Sequence, residues 1–254
     1  MGQKILKVRD VKKNFGGVMA VDGASIAIEE QTIRGLIGAN GAGKTTLFNL
    51  ITGYYKLDNG EIFFKDERVD QLPTFKKARK GMVRTFQLTK ALSRMTVLEN
   101  MLLGPKMQSG EKIWNIFLRP KKVASEEAKA VEKALEILDF FDLTHMKDDY
   151  AGALSGGQKR LLEMARALMT DPKMLLLDEP FAGVNPTLAR KLVSRIKELR
   201  ERGMTFLIIE HDMPLITEVS DTLIFMNHGK IILEGAPEDV RQDPRVLDAY
   251  LGGE

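Results

Sequence analysis

The chain has 254 residues, 44% hydrophobic and 29% charged, a balance that supports a sizeable core and excludes disorder as the main state. Lys+Arg number 38 against 35 Asp+Glu, a formal net charge of +3, which gives no strong drive toward nucleic acid. No cysteine is present, so a disulfide framework, a zinc–thiolate site and a thiol nucleophile are excluded.

The first part of the chain reads as short strands at 4–11, 24–28 and 61–64, with β-branched and polar residues mixed between Gly, Asp and Asn. A further apolar strand at 32–37 ends at Gly38. A helix starts near Lys44 and runs through Leu47, Leu50 and Ile51 to Gly53, a C-terminal cap. The middle is helical. Ser125 reads as an N-cap with Glu126 and Glu127 in the first turn, and Ala128, Val131, Leu135 and Leu138 mark one face. A second helix follows Ser155, with Leu161, Ala165 and Leu168 on one side. Between Lys106 and Ala124 lies an irregular segment with Trp114, Arg119, Lys121 and Lys122.

The last third alternates. Residues 174–177 form a buried strand, and Asn185-Pro186 is a cap followed by a first-turn proline. Leu188, Leu192, Ile196 and Leu199 face inward on the next helix, which Gly203 stops. A strand at 204–209 and a short helix after His211 follow. Strands at 222–225 and 230–233 flank the hairpin turn Asn227-His228-Gly229. Alternating strands and helices imply a mostly parallel sheet covered on both faces, with the helical middle inserted into it. No stretch reaches the run of about 18 apolar residues needed to cross a bilayer. The start, Met1-Gly2-Gln3-Lys4-Ile5-Leu6-Lys7, lacks the apolar region of a signal peptide. Leu6 stands where myristoylation needs Ser or Thr. The expectation is a soluble chain, or one held at a membrane only through a partner.

Gly38-Ala39-Asn40-Gly41-Ala42-Gly43-Lys44-Thr45 fits G-x-x-x-x-G-K-[ST]. Glycines let successive N–H groups curl inward onto phosphate oxygens. Gly38, Asn40, Gly41, Ala42, Gly43, Lys44, Thr45 and Thr46 are the expected cradle. Lys44 supplies a mobile charge for the β- and γ-phosphates, and the Thr45 hydroxyl is a hard ligand for Mg²⁺. Met174-Leu175-Leu176-Leu177-Asp178-Glu179 puts Asp178 at the carboxyl end of a buried strand, the edge where open α/β sheets bind ligands. Asp178 can hold the metal through water, and Glu179 can polarise an attacking water. A strand that simply ends in acidic residues is the bland alternative.

Leu154-Ser155-Gly156-Gly157-Gln158 opens the second middle helix. Ser155 and Gln158 are spaced as a capping box, but two consecutive glycines in a first turn cost about 1 kcal/mol each relative to alanine. Bare amides there suit close approach to an anion. The chain thus carries two phosphate-suited helix starts far apart in sequence.

The phosphate loop, Gln87, 154–158, Leu177-Asp178-Glu179 and His211 occur in the order seen in ATP-binding cassette (ABC) ATPases, which this chain resembles over nearly its whole length. The resemblance implies a P-loop α/β core, a mostly parallel sheet, an N-terminal antiparallel β subdomain and an inserted α-helical subdomain. It implies a core at 1–86 and 171–254 and a helical subdomain at 87–170, all within one ATPase domain. It implies head-to-tail pairing with a second ATPase subunit, as homodimer or heterodimer. Each ATP then lies between one phosphate loop and the partner's Ser155, Gly156, Gly157 and Gln158. Phe15 matches the aromatic that stacks on adenine; a core phenylalanine at a strand end is the other reading. Gln87 matches the glutamine that reaches Mg²⁺ and the attacking water, and His211 the histidine that contacts the γ-phosphate. Asn185 departs from the aspartate common in that loop and also reads as a helix cap.

The expected activity is ATP hydrolysis with Mg²⁺, with Glu179 as general base and Lys44, Gln87 and His211 in supporting catalytic roles. Integral membrane permease subunits are the expected partners, docking near 86–100. Leu88, Leu92, Met95 and Val97 line an apolar groove there or belong to the core. A periplasmic or extracellular binding protein takes part only indirectly. The expected location is cytoplasmic, peripheral on the inner face of the cell membrane. The segment around Trp114 and the loop 182–186 resemble the ATPases of branched-chain amino acid importers. Lipopolysaccharide-export ATPases, soluble non-transport ABC ATPases and phosphate-loop kinases or GTPases are the alternatives. No guanine-reading N-K-x-D motif stands out.

Overall fold

The computed structural model describes residues 2–85, 93–104 and 120–251. The chain divides into two compact units, Met1–Arg84 with Lys173–Glu254, and Thr85–Pro172.

The first unit opens with an antiparallel sheet in the order β2-β1-β4-β5, from β1 (Lys4–Phe15), β2 (Val18–Glu29), β4 (Asn59–Phe64) and β5 (Glu67–Arg68). β1 and β2 run 12 residues each, longer than the 4–11 and 24–28 read from sequence. The difference has a local cause. The β1–β2 register shifts between Val8 and Val11 and at three other points, and Asp10 has φ +43. Such bulges break the strict alternation by which strands are recognised.

The second sheet has the order β10-β9-β3-β8-β7-β6. It comprises β3 (Ile33–Ile37), β6 (Met82–Arg84), β7 (Met174–Asp178), β8 (Thr205–Ile209), β9 (Thr222–Asn227) and β10 (Lys230–Gly235). All neighbours are parallel except the β9–β10 hairpin. That hairpin turns at His228 and Gly229, both with positive φ, the geometry that matches strand twist in a two-residue loop. β7 and β8 are buried through Met174–Leu177 and Thr205–Ile209, as strands covered on both faces must be. Helix α1 (Lys44–Thr52) contributes Leu47, Phe48, Leu50 and Ile51 to a core shared with Leu6, Ile28, Ile62, Leu176 and Ile224. Helices α6 (Pro186–Glu201) and α7 (Met213–Val219) follow their strands. On α6, Leu192, Ile196 and Leu199 are buried as expected, and Leu188 is half-buried. Helix α2 (Thr74–Arg79) precedes β6, and α8 (Pro237–Gln242) and α9 (Pro244–Leu251) close the unit.

The second unit packs α3 (Val97–Leu102), α4 (Pro120–Phe140) and α5 (Gly156–Leu168) pairwise. Ser125 is no N-cap: it lies inside α4, whose described start is Pro120. The inward face also differs from expectation. Ala128 is exposed, and Val123, Ala130, Ala134 and Leu138 are the buried residues. Alanines carry much of that stripe, and their weak hydrophobic contrast hides its phase in sequence. The α5 start matches its reading, with Leu161, Ala165 and Leu168 buried. Among the described residues, no helix is long and apolar enough to cross a membrane.

Candidate functional site

β3 carries the chain into the phosphate loop, and its neighbours set what surrounds it. Leu36 pairs with Ile209 of β8, and Ile209 pairs with Asp178 of β7. The carboxyl ends of three adjacent parallel strands therefore stand in one row, where such sheets bind ligands. The loop after β3 leads into α1. β7 delivers Asp178 and Glu179, and β8 delivers His211.

The loop backbone needs glycine where it turns. Gly43 has φ +101, and a Cβ there would sit 2.3 Å from the carbonyl oxygen of Ala20. Gly43 is also the N-cap of α1 and offers no side-chain acceptor to the first-turn amides, and no acidic residue follows it. Those amides stay available to an anion. Lys44 Nζ donates to the carbonyls of Gly38 at 2.7 Å and Ala39 at 2.9 Å. Burial pushes the Lys44 amine below its ordinary value, while the Glu179 and Asp178 carboxylates push it back up. Asn40, Gly41 and Thr45 are exposed, Gly43 and Thr46 half-buried, and Ala42 buried.

Asp178 and Glu179 are half-buried. Asp178 Oδ2 accepts from the Arg84 guanidinium at 2.6 Å, and the other arm of Arg84 donates to the side-chain oxygen of Asn49 on α1. Glu179 has φ +48, a left-handed conformation that is unusual for a residue with a side chain. His211 is exposed, with Nδ1 3.6 Å from Glu179 Oε1. Among the described residues no cluster of three His, Cys, Asp or Glu could hold a metal. Mg²⁺ needs no such cluster, because it binds through one or two protein oxygens with phosphates and water. The exposed Thr45 hydroxyl and the Asp178 carboxylate are hard oxygens of the right kind. Gln87 lies outside the described residues, as do Leu88, Leu92 and Trp114.

Phe15 ends β1, 41% exposed, edge-on to Tyr55 at 5.2 Å, with Lys13 Nζ 5.4 Å from its ring centre. It is no core residue. Lys44, Asp178, Glu179 and His211 share one unit; Ser155, Gly156, Gly157 and Gln158 belong to the other. There Ser155 and Gln158 do form the capping box. Gln158 N donates to Ser155 Oγ at 3.3 Å and Ser155 N to Gln158 Oε1 at 2.8 Å. Asn185 caps α6, accepting from the Leu188 amide at 2.9 Å. Sequence reading missed Arg84, Glu210 and Tyr250, which engage Asp178, His211 and the phosphate loop. Only Glu210 left a trace, as a lone carboxylate closing the apolar run Phe206-Leu207-Ile208-Ile209.

A lysine-closed phosphate loop at the carboxyl edge of a parallel sheet, beside an Asp–Glu pair, defines a P-loop nucleoside triphosphatase. Residues 21–182 match the family described as ABC transporter, and 230–254 match the one described as branched-chain amino acid ATP-binding cassette transporter. The chain is 41% identical over 251 residues to the probable branched-chain amino acid transport ATP-binding protein LivG of Archaeoglobus fulgidus, covering 99% of this chain and 96% of that one. It is 39% identical to the high-affinity branched-chain amino acid transport ATP-binding protein LivG of Escherichia coli K12, covering 99% of each. An ATP-binding cassette of an ABC transporter, solved in its ADP conformation, superposes with a TM-score of 0.87 at 42% identity, covering 99% of this chain and 100% of that one. This chain belongs to the ATP-binding cassette transporter family, and it is an ATPase with that family's α/β fold.

Proposed function

We propose that this chain hydrolyses ATP to drive import of branched-chain amino acids through separate membrane subunits. The observation that carries the chemistry is that the phosphate loop after β3 and the Asp178-Glu179 pair after β7 stand at the same carboxyl edge of one sheet, with Ile209 of β8 paired to both Leu36 and Asp178. The near full-length identity with LivG proteins supports the cargo.

In this reading the α1 amides and Lys44 hold the β- and γ-phosphates, and Phe15 stacks on the adenine. Thr45 and Asp178 would hold Mg²⁺, with Gln87 as a further ligand. That ion supplies neutralising charge to the phosphoryl oxygens when bound. Glu179 accepts the proton of the attacking water, a role worth about 10²–10⁴ in rate. His211, beside Glu179, contacts the γ-phosphate. Ser155, Gly156, Gly157 and Gln158 close the site of a second ATPase subunit, identical or homologous. ATP binding joins the two subunits and hydrolysis releases them, which gives membrane subunits a two-state motor. The chain then sits on the cytoplasmic face of the membrane through those subunits.

Glu179→Gln tests the chemistry: it retains ATP binding and loses most turnover, and wild-type turnover would overturn the reading. Uptake of leucine, isoleucine and valine into vesicles carrying this chain with its co-purified membrane proteins, in the presence of the binding protein that serves them, tests the cargo. ATP turnover without stimulation or uptake by any of the three amino acids would reject it.

A further inference from the structure

Glu210 follows β8 directly and is 1% exposed. A buried carboxylate is costly unless donors surround it, and both of its oxygens are engaged. Oε1 accepts from the Phe181 amide at 2.9 Å. Oε2 accepts from the His211 amide at 3.0 Å and the Asp212 amide at 3.4 Å. All these donors are main-chain, and they come from two segments: the turn that carries Glu179 and the loop that carries His211. An apolar residue in the same space would leave those amides without an acceptor.

The turn needs holding. A left-handed non-glycine residue costs about 1–3 kcal/mol and persists only where its surroundings over-determine it. Glu179 has φ +48, and two bonds flank it. Its own amide donates to the Ile209 carbonyl at 2.9 Å, and the Phe181 amide, two residues on, donates to Glu210. Both acceptors sit at the end of β8, one residue apart. Across from them, His211 Nδ1 lies 3.6 Å from Glu179 Oε1 and 3.6 Å from Glu210 Oε2. One buried carboxylate thus sets the separation of the two side chains that face each other at the edge of the sheet.

We infer that Glu210 is a positioning residue for hydrolysis: it clamps the strained turn at Glu179 to the His211 backbone and holds the two side chains in register. The inference rests on the roles given to Glu179 and His211 above. Glu210 does not touch the substrate, and its reach across two loops, rather than its charge at the phosphate, is what matters.

The test is a set of substitutions in the full chain, together with the membrane proteins that co-purify with it. Glu210→Gln keeps the shape but turns one acceptor into a donor facing an amide, so one loop is released. kcat falls by about tenfold or more, while the Kd for ATP stays within about twofold, the pattern of an interaction made in the transition state. His211→Ala then costs much less in the Glu210→Gln background than alone, because the two residues act as one unit. Glu210→Asp keeps the charge, falls one methylene short and loses turnover likewise; it serves if the Gln variant does not fold. Turnover within about twofold of wild type in either folded variant overturns the inference. So do multiplicative losses with His211→Ala, or a Kd that weakens in step with kcat. Glu179→Gln is run alongside. Wild-type turnover there defeats the general-base reading itself, whereas an inactive Glu179→Gln beside a fully active Glu210→Gln defeats the clamp alone.

Discussion

The hydroxyl oxygen of Tyr250 accepts a hydrogen bond from the amide of Gly38 at 2.9 Å, across 212 positions of sequence. Gly38 opens the phosphate loop, and its amide precedes the uncapped amides at the start of α1. It is buried, so without an acceptor it costs about 1–3 kcal/mol. The last described helix therefore supplies a polar tie to the loop that no strand provides. Burial pushes the Tyr250 hydroxyl up from its ordinary value, against the opposing effect of the Gly38 amide. Tyr250→Phe keeps the ring and removes only the acceptor. The melting temperature falls by about 2–4 °C per kcal/mol lost in a chain of this size. An unchanged melting curve would show that the bond contributes nothing.

Arg84 joins three elements. It closes β6, and its guanidinium spans from Asp178 on β7 to Asn49 on α1. Both Arg84 and Asp178 side chains are half-buried, so removing one partner leaves the other partly desolvated without its compensating charge. Arg84→Leu destabilises the fold by about 1–3 kcal/mol, the cost of leaving half-buried acceptors unsatisfied, read by urea denaturation. Arg84→Lys recovers only part of this, since an ammonium cannot form the planar fork that reaches two acceptors. Equal stability of Arg84→Lys and wild type would refute the bridging role.

Lys77 on α2 is among the largest fully buried side chains. Its ammonium donates to the Ile51 carbonyl at 2.8 Å, at the C-terminal end of α1, where a cation suits the helix dipole. Burial nevertheless pushes the amine down from 10.5 to about 8, with the Asp70 carboxylate pushing the other way. Between those two values the unfolded chain binds more protons than the folded one, so stability rises with pH through that window. The full rise attributable to Lys77 is roughly 3 kcal/mol. Urea unfolding at pH 7.5 and 10, compared between wild type and Lys77→Met, isolates it. The same pH slope in both proteins would contradict the assignment.

Local chemistry was readable from sequence, and long-range pairing was not. The phosphate loop, the Ser155–Gln158 box, the Asn185-Pro186 cap and the hairpin turn before Lys230 each put their meaning in a few adjacent residues, and the structure has the local geometry of all four, with the turn narrowed to His228-Gly229 because Asn227 ends β9. The start and inward face of α4 were missed because alanines carry its buried stripe and Ser125 occupies an exposed interior position. Bulges hid the full length of β1 and β2. Asp178 and Arg84 stand 94 positions apart, and Phe181 and Glu210 stand 29 apart. No periodicity links such pairs, so only strand order and register reveal them.

Gly156 offers a separation of stability from function. It opens α5 directly after its N-cap Ser155. A Cβ built there meets nothing within 4 Å, and its backbone is not in the left-handed region. Neither packing nor conformation within the chain calls for glycine, while an alanine would favour the helix by up to about 1 kcal/mol. A glycine kept at that cost makes sense if another molecule approaches the bare first turn, as in the proposed pairing with a second subunit's ATP. Gly156→Ala should thus melt at or above the wild-type temperature and bind nucleotide normally to the isolated chain. Its turnover in the paired state should fall by about a hundredfold, the scale of a misplacement of about 1 Å at the reacting centre. Ser155→Arg should likewise bind nucleotide and lose turnover in the paired state, by bulk and charge, but it should melt below wild type because it removes the Ser155 cap. Mixing Ser155→Arg subunits with Lys44→Ala subunits should restore part of the activity, because one composite site per pair then has an intact loop and an intact helix start. Full turnover in Gly156→Ala, or no recovery in the mixture, would mean that this helix start serves only its own chain.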